Sequence, residues 1–171
     1  MRKGQRMGVP PTARIDMLLT ELTLEEKAAL MTGRGIWDAN PVERLGIPAL
    51  KVTDGPNGAR GAGILGTGTP VLCIPCGSAL GATWDQDLVE ELGAVLAAET
   101  RARACHVLLA PTVNIHRTPL GGRNFECYSE DPVLTGRTAA AFIRGVQGGG
   151  VGTTIKHFVA NDSEFERNSI D

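Results

Sequence analysis

The stretch Gly121-Gly122-Arg123-Asn124-Phe125-Glu126-Cys127-Tyr128-Ser129-Glu130-Asp131-Pro132 packs a cation, two aromatics and three carboxylates between a turn and a helix start. Asp131 followed by Pro132 reads as an N-cap with proline in the first helical position, where its missing N–H would have had no partner. Arg123 is therefore expected in a loop just ahead of a helix. Alone, an Arg in a Gly-Gly-Arg loop is more often a solvated surface charge than a ligand contact. Its company changes that reading. Asp54 closes the run Ala49-Leu50-Lys51-Val52-Thr53-Asp54, and Lys156-His157 closes Val151-Gly152-Thr153-Thr154-Ile155. A carboxylate, two fixed cations and an imidazole around one hollow would offer charge-assisted hydrogen bonds of both polarities.

The elements that must bring these residues together follow from periodicity and punctuation. Arg14 to Leu22 places Ile15, Leu18, Leu19 and Leu22 at helical spacing, and Thr23-Leu24-Glu25-Glu26 spells a capping box for a second helix running to about Thr32 and stopping at Gly33. The segment 49–54 reads as a short strand, stopped by Gly55-Pro56-Asn57-Gly58. A flexible glycine-rich loop is expected from Ala59 to Gly68, and a short strand over Ser78–Ala82. Thr83 or Asp85 then opens a long helix to about Arg103, with Leu88, Leu92, Val95, Leu96 and Glu99 separating an apolar from a charged face. His106–Ala110 reads as a strand buried on both faces and closed by Pro111. A helix from Pro132 to about Gln147 and a strand over Val151–Lys156 complete the order. Strand, helix, strand, helix, strand argues for an α/β fold with parallel strands joined by right-handed crossovers. The C-terminal strand ends of such a fold share one face, so Asp54, Arg123, Lys156 and His157 are expected to converge on one pocket.

Composition narrows the function. A chain of 171 residues with 42% hydrophobic content is long enough for a core of its own. Seventeen basic and nineteen acidic residues nearly cancel, with no basic stripe, so nucleic acid is not an expected partner. No apolar run approaches a membrane span or a signal-peptide core, and the expected location is cytoplasmic. Cys73-Ile74-Pro75-Cys76 has C-x-x-C spacing, but a zinc site lacks a matching second half and a redox site needs its first Cys at a helix start. The four cysteines are expected to be buried apolar thiols, with no metal and no cofactor.

Four motifs carry a family resemblance: Thr53-Asp54-Gly55-Pro56-Asn57-Gly58, Thr83-Trp84-Asp85, Gly122-Arg123-Asn124-Phe125-Glu126 and Lys156-His157-Phe158. In this order and at these spacings the sequence resembles the N-terminal barrel of glycoside hydrolase family 3, the β-glucosidase type, from about Arg14 to Asp171. The resemblance implies a partial (β/α)8 TIM-barrel-like domain over residues 13–171, behind a flexible arm over 1–12. It also implies that Asp54, Arg123, Lys156 and His157 bind hydroxyls of a terminal, non-reducing sugar. Arg60 is placed at the same mouth, and Arg167 is read equally as a loop tie or a substrate contact. Trp37, Trp84 and Phe125 are candidates to stack on a ring face, although aromatics in such a chain are more often core.

Lys156 and His157 are adjacent, and a regular strand would turn their side chains to opposite faces. A bulge, a sharp bend or a nonproline cis peptide is therefore expected between Lys156 and Ala160. A retaining glycosidase also needs two carboxyl groups roughly 5–5.5 Å apart. The resemblance places its nucleophile in a later Ser-Asp-Trp type motif and its acid/base on a following domain, so no catalytic residue is assigned in this chain. Glu126 and Glu130 are read as loop and cap partners. The expected function is hydrolysis of terminal β-D-glucosyl residues, with a β-glucoside or oligosaccharide as substrate and the rest of the barrel and a second domain supplied by another chain or a missing segment. The alternatives are a sugar-binding or regulatory half-barrel that forms a homo-oligomer, and a β-xylosidase-type hydrolase. Lys156-His157-Phe158 continues as Val-Ala-Asn-Asp rather than Pro-Gly-x-Gly, which disfavours the N-acetylglucosaminidase branch.

Overall fold

A computed structural model describes residues 11–61, 70–158 and 160–169. The chain forms two compact units, residues 1–50 and 51–171. In the first, helix α1 spans Pro11–Glu21 and α2 spans Leu24–Leu30. Pro11 and Thr12, expected in the flexible arm, belong to α1, because proline fits a first helical turn. Residues 1–10 of that arm lie outside the described residues. The capping box forms as read: Thr23 Oγ1 accepts from the Glu26 N–H at 3.2 Å, and Glu26 accepts from the Thr23 N–H at 2.9 Å. Helix α2 ends at Leu30, two residues early, where Asn40 Nδ2 donates to the carbonyls of Ala29 and Thr32.

The second unit is built on a three-stranded parallel sheet in the order β1 (Val52–Asp54), β2 (Val107–Leu109) and β3 (Gly152–Thr153). Val52 faces Val107 and Val107 faces Gly152, so the three strands run in step. All three are shorter than their apolar runs suggest; a lone bridge between Thr112 and Lys156 extends the β2–β3 pairing beyond the strands. Between β1 and β2 run α3 (Gly77–Thr83) and α4 (Gln86–Ala102), and between β2 and β3 runs α5 (Pro132–Gly148).

The expected strand at Ser78–Ala82 is instead α3, and glycine explains why. A Cβ on Gly77 would stand 2.3 Å from the Glu126 carbonyl oxygen and one on Gly81 2.2 Å from that of Tyr128, so only this helix surface admits the loop backbone so closely. Asp85, not Thr83, caps α4, accepting from Leu88 N–H at 2.9 Å. The buried face of α4 is also rotated from the expected one. Val89, Gly93, Leu96, Ala97 and Thr100 are buried, while Leu88 and Val95 are exposed. Gly93 and Gly145 let α4 and α5 touch backbone to backbone, since a Cβ on Gly145 would lie 2.0 Å from the Glu90 carbonyl oxygen. Asp131 caps α5 as read, accepting from the N–H groups of Val133 and Leu134. Phe142, Leu96, Leu108, Val89 and Val146 form the centre of the core. Among the described residues no helix is long and apolar enough to cross a membrane.

Candidate sugar-binding site

Asp54 stands at the C-terminal end of β1, where the turn at Gly55–Gly58 carries the chain away. Gly55 has φ +135°, and a Cβ there would overlap the Gly58 carbonyl, so this turn demands glycine. Beyond β2, Arg123 is set by successive tight turns: Gly121 N–H donates to the Thr118 carbonyl, Asn124 N–H to Gly121, and a 3-10 turn covers Asn124–Glu126. Lys156 and His157 follow β3, and the peptide bond between them is cis, one of the three departures expected there. Both side chains reach the same cluster.

Lys156 Nζ donates to Asp54 Oδ1 at 2.5 Å, and Arg60 Nη2 donates to Asp54 Oδ2. Burial pushes the Asp54 carboxyl up, but the hydrogen bond and charge of Lys156, with those of Arg60, outweigh it and hold the group below the usual carboxylate range. Asp54 is therefore an anion at neutral pH. Arg123 Nε donates to Glu126 Oε1, its Nη2 lies 3.1 Å from His157 Nε2, and its Nη1 is 3.8 Å from Glu164. The bond to Glu126 raises the Arg123 pKa further. His157 is shifted the other way: burial first, then repulsion by Arg123 and Lys156, lowers its pKa below the ordinary histidine value.

Asp54, Arg60, Arg123 and Lys156 wall one cavity of about 390 Å³, with Glu126, Phe125, Val71 and Cys73 also on its lining. This size lies in the range of small-molecule sites. Its charged wall can both accept and donate, and its apolar wall can cover a ring. His157 is not on the lining but stands against Arg123. Arg167 is a loop tie: it pairs with Glu164 at 2.9 Å. Of the three aromatics, Phe125 is exposed at the cavity, Trp84 is exposed at a different hollow beside His116 and Tyr128, and Trp37 belongs to the first unit.

Glu126 was read as a loop partner and serves as one, paired with the cation Arg123, while sequence reasoning missed two further supports, Glu164 and Asn114. Glu126 is buried and holds Arg123 on one side while accepting from Thr112 Oγ1 at 3.1 Å on the other. The i,i+3 spacing of Arg123 and Glu126 was the available signal. Glu164 links Arg123 to Arg167. Asn114 brackets His157, its Oδ1 accepting from the His157 N–H at 3.0 Å and its Nδ2 donating to the His157 carbonyl at 3.4 Å; no local pattern announces that contact.

The cysteines correct one expectation. Cys105 and Cys127 are buried, and burial pushes the Cys127 thiol up to about 11. Cys73 is exposed on the cavity wall, however, and Cys76 is half-buried at the start of α3, where a hydrogen bond with Ser78 lowers its pKa. Among the described residues no three His, Cys, Asp or Glu side chains form a group able to hold a metal ion.

Comparison with known proteins shows the family and the fold. The family described as glycosyl hydrolase family 3 N terminal domain matches residues 17–171. A β-glucosidase of Rhizobium radiobacter is 56% identical over 156 residues, covering 91% of this chain and 19% of that protein. The crystal structure of a β-glucosidase from Kluyveromyces marxianus in complex with glucose superposes with a TM-score of 0.85 at 46% identity, over 88% of this chain and 18% of that one. The β-glucosidase 3B of Thermotoga neapolitana, also solved with glucose, gives 0.82 at 42% identity, over 88% and 24%. The chain thus spans about a fifth of the length of the curated relatives it matches. Its parallel β/α arrangement is a portion of the barrel in these enzymes, and the chain belongs to glycosyl hydrolase family 3 through that family's N-terminal domain.

Proposed function

We propose that this chain supplies the sugar-binding shell of a retaining β-glucosidase acting on terminal, non-reducing β-D-glucosyl residues. One observation carries the reading: Asp54, Arg60, Arg123 and Lys156, distant in sequence, wall a single cavity. A pyranose presents neighbouring hydroxyls that each donate and accept. An ionised carboxylate has about four lone-pair positions, so Asp54 can hold Lys156 and Arg60 and still accept from two hydroxyls, while Arg123 and Lys156 donate back. His157 completes the shell behind Arg123. Relatives solved with glucose support the choice of sugar.

The nucleophile and the acid/base lie, in this proposal, in the barrel segments and second domain that complete the enzyme. The carboxylates gathered here, Asp54 and Glu126, are already committed to cations. A cytoplasmic location is part of the proposal, supported by the free thiols of Cys73, Cys76 and Cys127.

The test compares p-nitrophenyl β-D-glucoside and β-D-xyloside hydrolysis by the full-length protein with hydrolysis by residues 1–171, alone and mixed with the complementing C-terminal segment. Turnover is expected in the full-length protein, favouring the glucoside, and in the mixture. Turnover by residues 1–171 alone would overturn the division of labour. Glucose binding by a self-associated 1–171 species, with no hydrolysis in the full-length protein, would favour the half-barrel instead.

A further inference from the structure

We propose that Glu99 and Arg103, at the C-terminal end of α4, are positioning residues for the apolar wall of the cavity: together they clasp the backbone of Pro70 and Leu72 and so keep Val71 and Cys73 on the lining. That the cavity receives a sugar rests on the reading above; the clasp itself does not.

Residues 70–76 belong to no helix or strand, so whatever places Val71 and Cys73 must come from neighbouring elements. Two sets of bonds do it. The turn after β1 takes the far half of the segment: the Ile74 N–H donates to the Asn57 carbonyl at 2.9 Å, and Asn57 Nδ2 donates to the Pro75 carbonyl at 2.7 Å. Helix α4 takes the near half. The Leu72 N–H donates to Glu99 Oε1 at 3.0 Å, and Arg103 Nη2 donates to the Pro70 carbonyl at 3.0 Å. Val71 sits between these two grips. Among the described residues, every hydrogen bond that the two side chains make outside α4 goes to this segment. Bonds from backbone to a charged side chain are stronger than neutral ones, which suits a tie that must replace secondary structure.

The base of the clasp is fixed. Leu96, Ala97 and Thr100, on the same turns of α4, are buried. Arg103 Nη1 donates to the Glu99 carbonyl at 3.1 Å, and Arg103 Nη2 stands 3.8 Å from Glu99 Oε1, so the two side chains brace each other. They are only 15% and 20% exposed, so water competes little for these contacts. Arg103 also lies against Gly61, where a Cβ would stand 3.3 Å from its Cδ. Gly61 follows Arg60 in the chain, and its N–H is held by Thr53 Oγ1 at 2.8 Å. One side chain therefore meets the backbone beside Arg60 on one flank and beside Val71 on the other, and both of those residues line the cavity. Glu99 and Arg103 are not on the lining themselves, so their effect on a ligand is exercised through the segments they hold.

Two measurements on the full-length protein decide the matter. The first is amide hydrogen exchange and involves no ligand. In Glu99→Ala the Leu72 N–H should exchange about tenfold or more faster than in the parent, while the Ile74 N–H, held by Asn57, keeps its rate. Equal acceleration at both amides, or at neither, overturns the clasp whatever the cavity binds. Glu99→Gln keeps an oxygen for the Leu72 N–H and should stay within about threefold of the parent; a rate matching Glu99→Ala would overturn the proposal. Arg103→Ala should reproduce the pattern and serves should Glu99→Ala not fold. The second measurement is hydrolysis of p-nitrophenyl β-D-glucoside. Glu99→Ala and Arg103→Ala should raise KM about fivefold or more with kcat within about twofold, because a displaced wall weakens binding without touching the reacting groups. A fall in kcat at unchanged KM overturns the assignment to the wall. With Val71 already changed to Ala, Glu99→Ala should add little; full additivity would show that the pair does not act through Val71 and overturn the proposal. Should the parent hydrolyse no glucoside, the sugar reading fails, and the exchange rates of Leu72 and Ile74 still judge the clasp by themselves.

Discussion

The α4–α5 layer and the rim of the cavity are built on opposite principles within one unit. Between the helices, glycines allow backbones to meet and Phe142, Leu96 and Val146 fill the remainder with no charge in the core. At the rim, a half-buried Asp54 is opposed by Lys156 and Arg60, and Arg123 by Glu126. The first arrangement gains free energy from removing apolar area and from close packing. The second spends desolvation on charges that offset one another only in part. On the proposed sugar-binding reading, stability resides in one region and recognition in the other, so substitutions should separate the two.

The sharpest break is Phe142→Ala, which removes the largest fully buried side chain. A loss of about 3–5 kcal/mol in urea-denaturation free energy is expected, with glucose affinity retained by the molecules that stay folded. Asp54→Asn is the converse. It keeps the shape of the side chain but removes the charge that Lys156 and Arg60 face, and glucose affinity measured by calorimetry should fall about 100-fold. The urea midpoint should move less than for Phe142→Ala. A smaller effect, again on the helical side, is expected of Asp131→Ala. Losing the cap of α5 should cost about 1 kcal/mol and leave glucose binding alone, as a paired melt and titration would show.

The smallest effect has the most diagnostic sign. Asp54 is held below its ordinary pKa, so its contribution is complete above the unfolded carboxylate range and is lost as pH falls through the folded value. His157 is also lowered, so below the ordinary histidine range the unfolded chain takes the proton first and folding weakens until the folded pKa is passed. Both act in the same direction. Urea midpoints should decline with acid, first near the histidine range and then near the carboxylate range, and Asp54→Asn should show a smaller second decline, since Glu26 and Asp162, held low by Arg44 and Arg117, still contribute. Phe142→Ala should run parallel to the parent curve, displaced downward.

Local chemistry was readable in the sequence, and nonlocal chemistry was readable only where topology supplied it. The Thr23–Glu26 box and the Asp131–Pro132 start involve partners within three residues, and both formed as read. Parallel strand order foretold that Asp54, Arg123 and Lys156 would share one face, because strand ends in such folds point one way. Helix α3 was misread because Gly, Ser and Ala carry no apolar period; what selects the helix is the loop that Gly77 and Gly81 receive. The α4 face was rotated for a related reason, since Gly93 gains its place from α5 and not from its own hydrophobicity. His157 stands against Arg123 with its backbone bonded by Asn114, a nonlocal contact that residue types do not encode.

The close seating of Gly77 and Gly81 under the carbonyls of Glu126 and Tyr128 makes α3 a mould for the loop carrying Arg123. Two inconspicuous positions off the cavity lining therefore carry a veto over the shape of the wall that Arg123 and Glu126 form. Attempts to alter what the proposed site accepts should leave both untouched and vary the side chains of Cys73 and Phe125, which are exposed on the apolar wall.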